Sequence, residues 1–184
     1  MSDWEKSTSY SYGVAKQRRP ATEAEAKALA SAVRLRILRL CLDRPLTNKE
    51  IADRLGAHPA TVLHHVRTLV DTGFLAAQEP RRGARGSREI PYLATRKSWQ
   101  LSLADSGEEP LRALIDAFVQ EFRLVEDPRR VVTTRLGLRL DREAYEELRG
   151  RATALFEEYA NRPPDPHGQP YSLFFALHPD PGRD

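Results

Sequence analysis

A chain of 184 residues, 40% hydrophobic and 30% charged, can bury one fair-sized core or two small ones. The net charge of +3, from 29 Lys and Arg against 26 Asp and Glu, is only mildly basic, so local clustering matters more than the total. One cysteine excludes an intramolecular disulfide and suits a reducing cytoplasm, and no apolar run approaches the length of a membrane span.

In chain order, residues 1–20 are rich in Ser, Thr, Tyr and Lys without an apolar period, and a disordered arm is expected. The start lacks the apolar core of a secretion signal. Lys16, Arg18 and Arg19 are either phosphate contacts or part of a solubilising tail. Thr22 to Leu42 predicts one long helix, opened by a Thr22–Glu25 capping box. Ala26, Leu29, Val33, Ile37, Leu40 and Cys41 form one apolar stripe, and Leu35, Leu38 and Leu42 a second, so burial on two sides is expected. Cys41 reads as a packed thiol.

Leu46 to Arg96 has the clearest pattern. Thr47 and Glu50 form another capping box, followed by Ile51, Ala52 and Leu55 at helical spacing and by Gly56, which can leave a helix through the left-handed conformation. Pro59 opens the next helix, where its missing N–H costs nothing. Val62, Val66 and Leu69 share its inner face, leaving Thr61, Leu63, His64, His65 and Arg67 on the others. Phe74 to Glu79 and Glu89 to Thr95 predict the arms of a hairpin whose tip carries Arg81, Arg82, Arg85 and Arg88 with two glycines. Helix, turn, helix, hairpin is the order of a winged helix-turn-helix, whose second helix can enter the major groove of DNA.

The run from Ala60 to Leu69, with its adjacent His64 and His65, resembles the recognition helix of ArsR-type bacterial repressors, and Val33 to Leu38 resembles the helix upstream of it in that family. Leu63 stands where the family pattern has a small polar residue. The resemblance covers roughly Ala30 to Thr95 and implies a DNA-binding regulator, with repression as its mode. Metal-sensing members carry a Cys-x-Cys or late-helix His and Asp ligands; neither is present, so no metal or other cofactor is expected.

In the second half, Trp99, Leu101 and Leu103 alternate as in a strand. A helix from Pro110 presents Leu111, Leu114, Ile115, Phe118, Phe122 and Val125 on one face, which suits a dimer interface. Arg130 to Leu140 alternates again, with Val132, Thr134, Leu136, Leu138 and Leu140 on one side. On the other, Arg135 and Arg139 read as an anion site or as the wet side of a half-buried sheet. Asp141 caps a helix containing Tyr145, Leu148, Ala152, Leu155, Phe156 and Tyr159, and Tyr171 to Leu177 fits a central strand. The aromatic residues Trp99, Phe118, Phe122, Tyr145, Phe156, Tyr159, Phe174 and Phe175 are either ordinary core or the lining of a small-molecule effector pocket.

His58, His64 and His65 lie close in sequence, but His64 and His65 point about 100° apart and do not chelate as an i, i+4 pair would. His167 sits in a proline-glycine loop and His178 follows the last expected strand, where no further residue supports a sensory site, and paired glutamates such as Glu146-Glu147 read as solvated helix faces. There is no G-x-S-x-G, P-loop or G-x-G-x-x-G, so an enzyme is not expected.

The fold class expected is therefore α+β and helix-rich, a winged helix-turn-helix followed by a small strand-helix-strand-helix-strand domain. Its parts are an arm over 1–20, a DNA-binding domain over 21–96, and a dimerisation and effector domain over 97–184. The expected function is sequence-specific binding of double-stranded DNA as a cytoplasmic homodimeric repressor. The alternative is a winged-helix protein-interaction module without DNA binding. Expected DNA contacts are Asn48, Lys49, His58, Pro59, Ala60, Thr61, Leu63, His64, His65, Arg67, Arg81, Arg82, Arg85 and Arg88.

Overall fold

The computed structural model describes residues 18–83 and 86–183. It falls into two compact units that divide between Val131 and Val132, not between 96 and 97.

In the first unit, α1 (Glu23–Leu29) and α2 (Ala32–Leu40) replace the single helix predicted from Thr22 to Leu42. Ser31 makes the break. Its backbone is extended, and its hydroxyl accepts the Arg34 N–H, capping α2. The Arg34 side chain turns back and donates to the carbonyls of Ala28 (2.5 Å) and Lys27 (2.7 Å) at the open end of α1. Local caps thus satisfy the backbone groups a continuous helix would have paired.

Both capping boxes form, at Thr22–Glu25 and Thr47–Glu50. Helix α3 (Asn48–Leu55) ends at Gly56 with φ 61°, and α4 (Pro59–Asp71) follows. Ile37, Cys41, Ile51, Val62, Val66 and Leu69 are fully buried and meet Leu29 and Phe74 in one core. Each such side chain contributes roughly 1.5–3 kcal/mol.

The hairpin forms as predicted, with a third strand that sequence pattern did not show. Strand β2 (Leu46–Thr47) pairs with β6 (Pro91–Ala94), which also pairs with β3 (Leu75–Ala77), all antiparallel. Towards the tip, β4 (Arg81–Arg82) pairs with β5 (Arg88–Glu89). The arm expected over 1–20 is ordered at its end: β1 (Arg19–Pro20) runs parallel to β7 (Leu101–Ser102). Its anchor is Glu25, which accepts two hydrogen bonds from Arg19 (2.6 and 2.8 Å). Lys16 lies outside the described residues. Trp99, predicted in a strand, is in a 3-10 turn (Lys97–Gln100), and Arg18 stacks on its ring at 4.3 Å.

Helix α5 (Glu109–Phe122) packs against α1 and α2 through its small face, with Pro110, Ala113 and Ala117 buried. Arg36 donates to Gln120 beside that contact. The placement joins α5 to the helix-turn-helix unit and moves the boundary past 96.

The second unit, described by itself, holds α6 (Arg142–Asn161), capped by Asp141 as predicted. The strands expected over 130–140 and 171–177 form no ladder among the described residues; Arg130 ends a 3-10 turn (Pro128–Arg130), and the rest of both stretches lies outside any described helix or strand. A strand needs a neighbour for its backbone groups, and neither stretch has a paired strand among the described residues. Of the predicted strand-helix-strand-helix-strand order, two helices and the short β7 remain. No described residue from Val132 onward is buried.

Candidate nucleic-acid interface

The helix-turn-helix geometry follows from three local contacts. His58 caps α4 by accepting the Ala60 N–H on Nδ1 (3.2 Å). Asn48 donates from Nδ2 to the Pro59 carbonyl (2.9 Å), tying the start of α3 to the start of α4. Val62, Val66 and Leu69 then hold the back of α4 in the core. Its front is left to solvent: Pro59, Ala60, Thr61, His64 and Arg67 are exposed, with Lys49 and His58 exposed nearby. Leu63 and His65 are half-buried at its sides. The His65 Nδ1 is buried without a hydrogen-bond partner among the described residues. Burial, then Arg34 and His64, lower its pKa and favour a neutral ring.

The wing is fastened to α3. Arg81 donates to Glu50 Oε2 at 2.7 Å, the same oxygen that accepts the Thr47 N–H in the capping box. The Glu50 carboxyl is held below its ordinary value, chiefly by the Thr47 N–H, with Arg81 adding to it. Arg82 and Arg88 are different. They face each other across the β4–β5 ladder, both exposed, and neither meets a carboxylate among the described residues. Like charges directly opposite on a ladder repel, and an anion laid across them relieves that repulsion. Arg85 lies outside the described residues.

One element of the site escaped sequence reasoning. Lys97 donates to the Thr72 carbonyl at the end of α4 (2.7 Å) and ion-pairs with the buried Glu25 (2.7 Å), with its ammonium over the Phe74 ring. The only signal in sequence was Glu25 itself, which reads as a local cap.

The residues expected at a dimer interface line the outer face of α5. Leu111, Leu114, Ile115 and Phe122 are exposed, 58% for Leu111, and Phe118 is half-buried against Phe122. A cavity of about 270 Å³ lies beside this face, lined by Leu103, Ala104, Gly107, Leu111 and Leu114. None of the aromatic residues proposed as a pocket lines it. Trp99, Phe118 and Phe122 lie in the first unit; Tyr145, Phe156, Tyr159, Phe174 and Phe175 lie in the second, where Phe156 packs on Phe175. Among the described residues, no three His, Cys, Asp or Glu side chains gather as metal ligands would. No helix there is long and apolar enough to cross a membrane.

No curated protein matches the chain. Among solved structures, reduced HlyU from Vibrio cholerae N16961 is similar at 20% identity and TM-score 0.34, over 52% of this chain and 84% of its own. A Thermoplasma acidophilum protein assigned as a transcriptional regulator is similar at 20% identity and TM-score 0.37, over 51% and 96%. The transcriptional regulator SlyA is similar at 14% identity and TM-score 0.32, over 70% and 74%. Residues 29–77, from the end of α1 through α2, α3 and α4 to β3, match a family model described as a helix-turn-helix domain.

Proposed function

We propose that this protein binds double-stranded DNA sequence-specifically, as a homodimeric transcriptional regulator of ArsR type that acts by repression. The observations that carry the proposal are the pair Arg82 and Arg88, exposed on the wing and without a carboxylate partner among the described residues, and the exposed front of α4. In this reading α4 enters the major groove, with Thr61, His64 and Arg67 at base edges or adjacent phosphates. Lys49, Arg82, Arg85 and Arg88 hold the backbone, while Arg81 orients the wing through Glu50. The outer face of α5 meets its copy, and two recognition helices reach successive major grooves about 34 Å apart. Repression then follows from occupying the operator. The cavity beside α5 is assigned to a small apolar effector, where occupancy would bear on the dimer face.

The test is a salt series on duplex DNA by fluorescence anisotropy. Log affinity should fall linearly with log salt concentration, and each of Arg82→Glu and Arg88→Glu should weaken binding and reduce the slope by about 1. Affinity unmoved by salt and by both substitutions would transfer the site to a protein partner.

A further inference from the structure

Val131 to Leu140 is a strand-like segment without a strand. The residues that bound it, Val131 (φ −99°, ψ 124°) and Asp141 (φ −74°, ψ 178°), are extended, and no residue between them has a positive φ. From Val132 to Leu140 the backbone makes no hydrogen bond among the described residues. The even-numbered face is apolar apart from Thr134 and open: Val132 is 96% exposed and Leu136 70%, with Leu138 and Leu140 also exposed. On the odd-numbered face, also exposed from Thr133 to Arg139, the Arg183 guanidinium occupies the space a Cβ on Gly137 would fill. A row of backbone groups without partners among the described residues, beside an apolar face, is a template for another strand.

We propose that this segment pairs antiparallel with the same segment of a second copy, centred on Leu136. The inference deepens the homodimer reading given above and rests on it. Like-charge repulsion and the length of overlap favour one register, since only a centre at Leu136 pairs the whole of Val132 to Leu140. With Leu136 opposite its own copy, Val132 faces Leu140 and Thr134 faces Leu138, so each cross-strand pair on this face contains at least one large apolar side chain. On the other side Thr133 faces Arg139 and Arg135 faces Gly137, so no arginine stands opposite an arginine. Moving the centre to Arg135 sets that residue against itself, and moving it to Gly137 sets Arg135 against Arg139, both repulsive. A symmetric contact of this kind uses one edge of each strand and relates the two copies by a twofold axis.

Cysteine crosslinking in the full-length protein tests the register. The one native cysteine, Cys41, is buried and gives little background. Directly opposite residues in an antiparallel pair have Cα atoms within disulfide reach. Mild oxidation should link Leu136→Cys into a covalent dimer, with at least about tenfold more linked product than Arg135→Cys or Thr134→Cys alone, whose copies lie out of that geometry. The double variant Thr134→Cys with Leu138→Cys should link as well as Leu136→Cys. All these positions are exposed, and a melting temperature equal to wild type verifies that each variant folds. A wild-type dimer in sedimentation with unlinked Leu136→Cys overturns the pairing and leaves the homodimer standing. A wild-type monomer at micromolar concentration overturns both. Equal linking of Arg135→Cys and Leu136→Cys shows random collision and overturns the register.

Discussion

Glu25 shows how one side chain can hold a site it never touches. It is 5% exposed and carries its own capping box, Arg19 of the N-terminal strand and Lys97, which itself caps the far end of α4. Arg19's hydrogen bonds, first, and then Lys97 hold its carboxyl well below the usual carboxylate range, against the opposing effect of burial. A carboxyl depressed on folding adds stability above its unfolded value, near 4.5, and that stability is lost as pH falls through its folded value. Urea midpoints measured from pH 7 down to pH 3 should therefore fall below about pH 4.5 in the wild type. In Glu25→Gln they should start lower and fall less steeply. Cys41 gives a second residue-scale prediction. Burial pushes its thiol up to about 12, so a thiol reagent at pH 8 should react with Cys41 only when the unit unfolds, and urea should accelerate the labelling.

At the scale of elements, α4 is fixed by its back and free at its front. Leu69 is fully buried, so Leu69→Ala should cost about 3 kcal/mol in urea unfolding. Arg67→Ala, on the exposed front, should leave stability within about 0.5 kcal/mol while weakening DNA binding. This division was legible in sequence because it rests on short-range causes: two capping boxes, Gly56 at a left-handed exit, Pro59 at a helix start and a 3.6-residue apolar period. The break between α1 and α2 was not, because the Arg34 side chain that satisfies the end of α1 acts across the break, and the apolar stripe runs through both helices unchanged. The two-residue β2 was hidden for a similar reason, being a strand only by its pairing with β6. The Arg81–Glu50 pair spans 31 positions, and no local pattern foretells which arginine of the wing finds a carboxylate.

For the whole molecule, the unequal faces of α5 set the expected assembly. Its buried side is made of Pro110, Ala113 and Ala117, small enough for close approach to α2, while the larger Leu111, Leu114, Ile115 and Phe122 point to solvent. The period in sequence identified the apolar face; it could not say that the small residues, not the large ones, would meet the chain's own core. Large apolar side chains left outside on a packed helix are what a second copy would cover. Ile115→Asp with Leu114→Asp should therefore shift a sedimenting dimer toward monomer at micromolar concentration while each chain stays folded, since neither side chain lies in the core. On a palindromic duplex the same variant should lose at least about a hundredfold in affinity, because two half-sites no longer act through one tethered pair, while its affinity for a single half-site should stay within about twofold. A variant that stays dimeric would move the interface off α5, and one that is monomeric yet binds the palindrome as well as wild type would separate DNA recognition from dimerisation altogether.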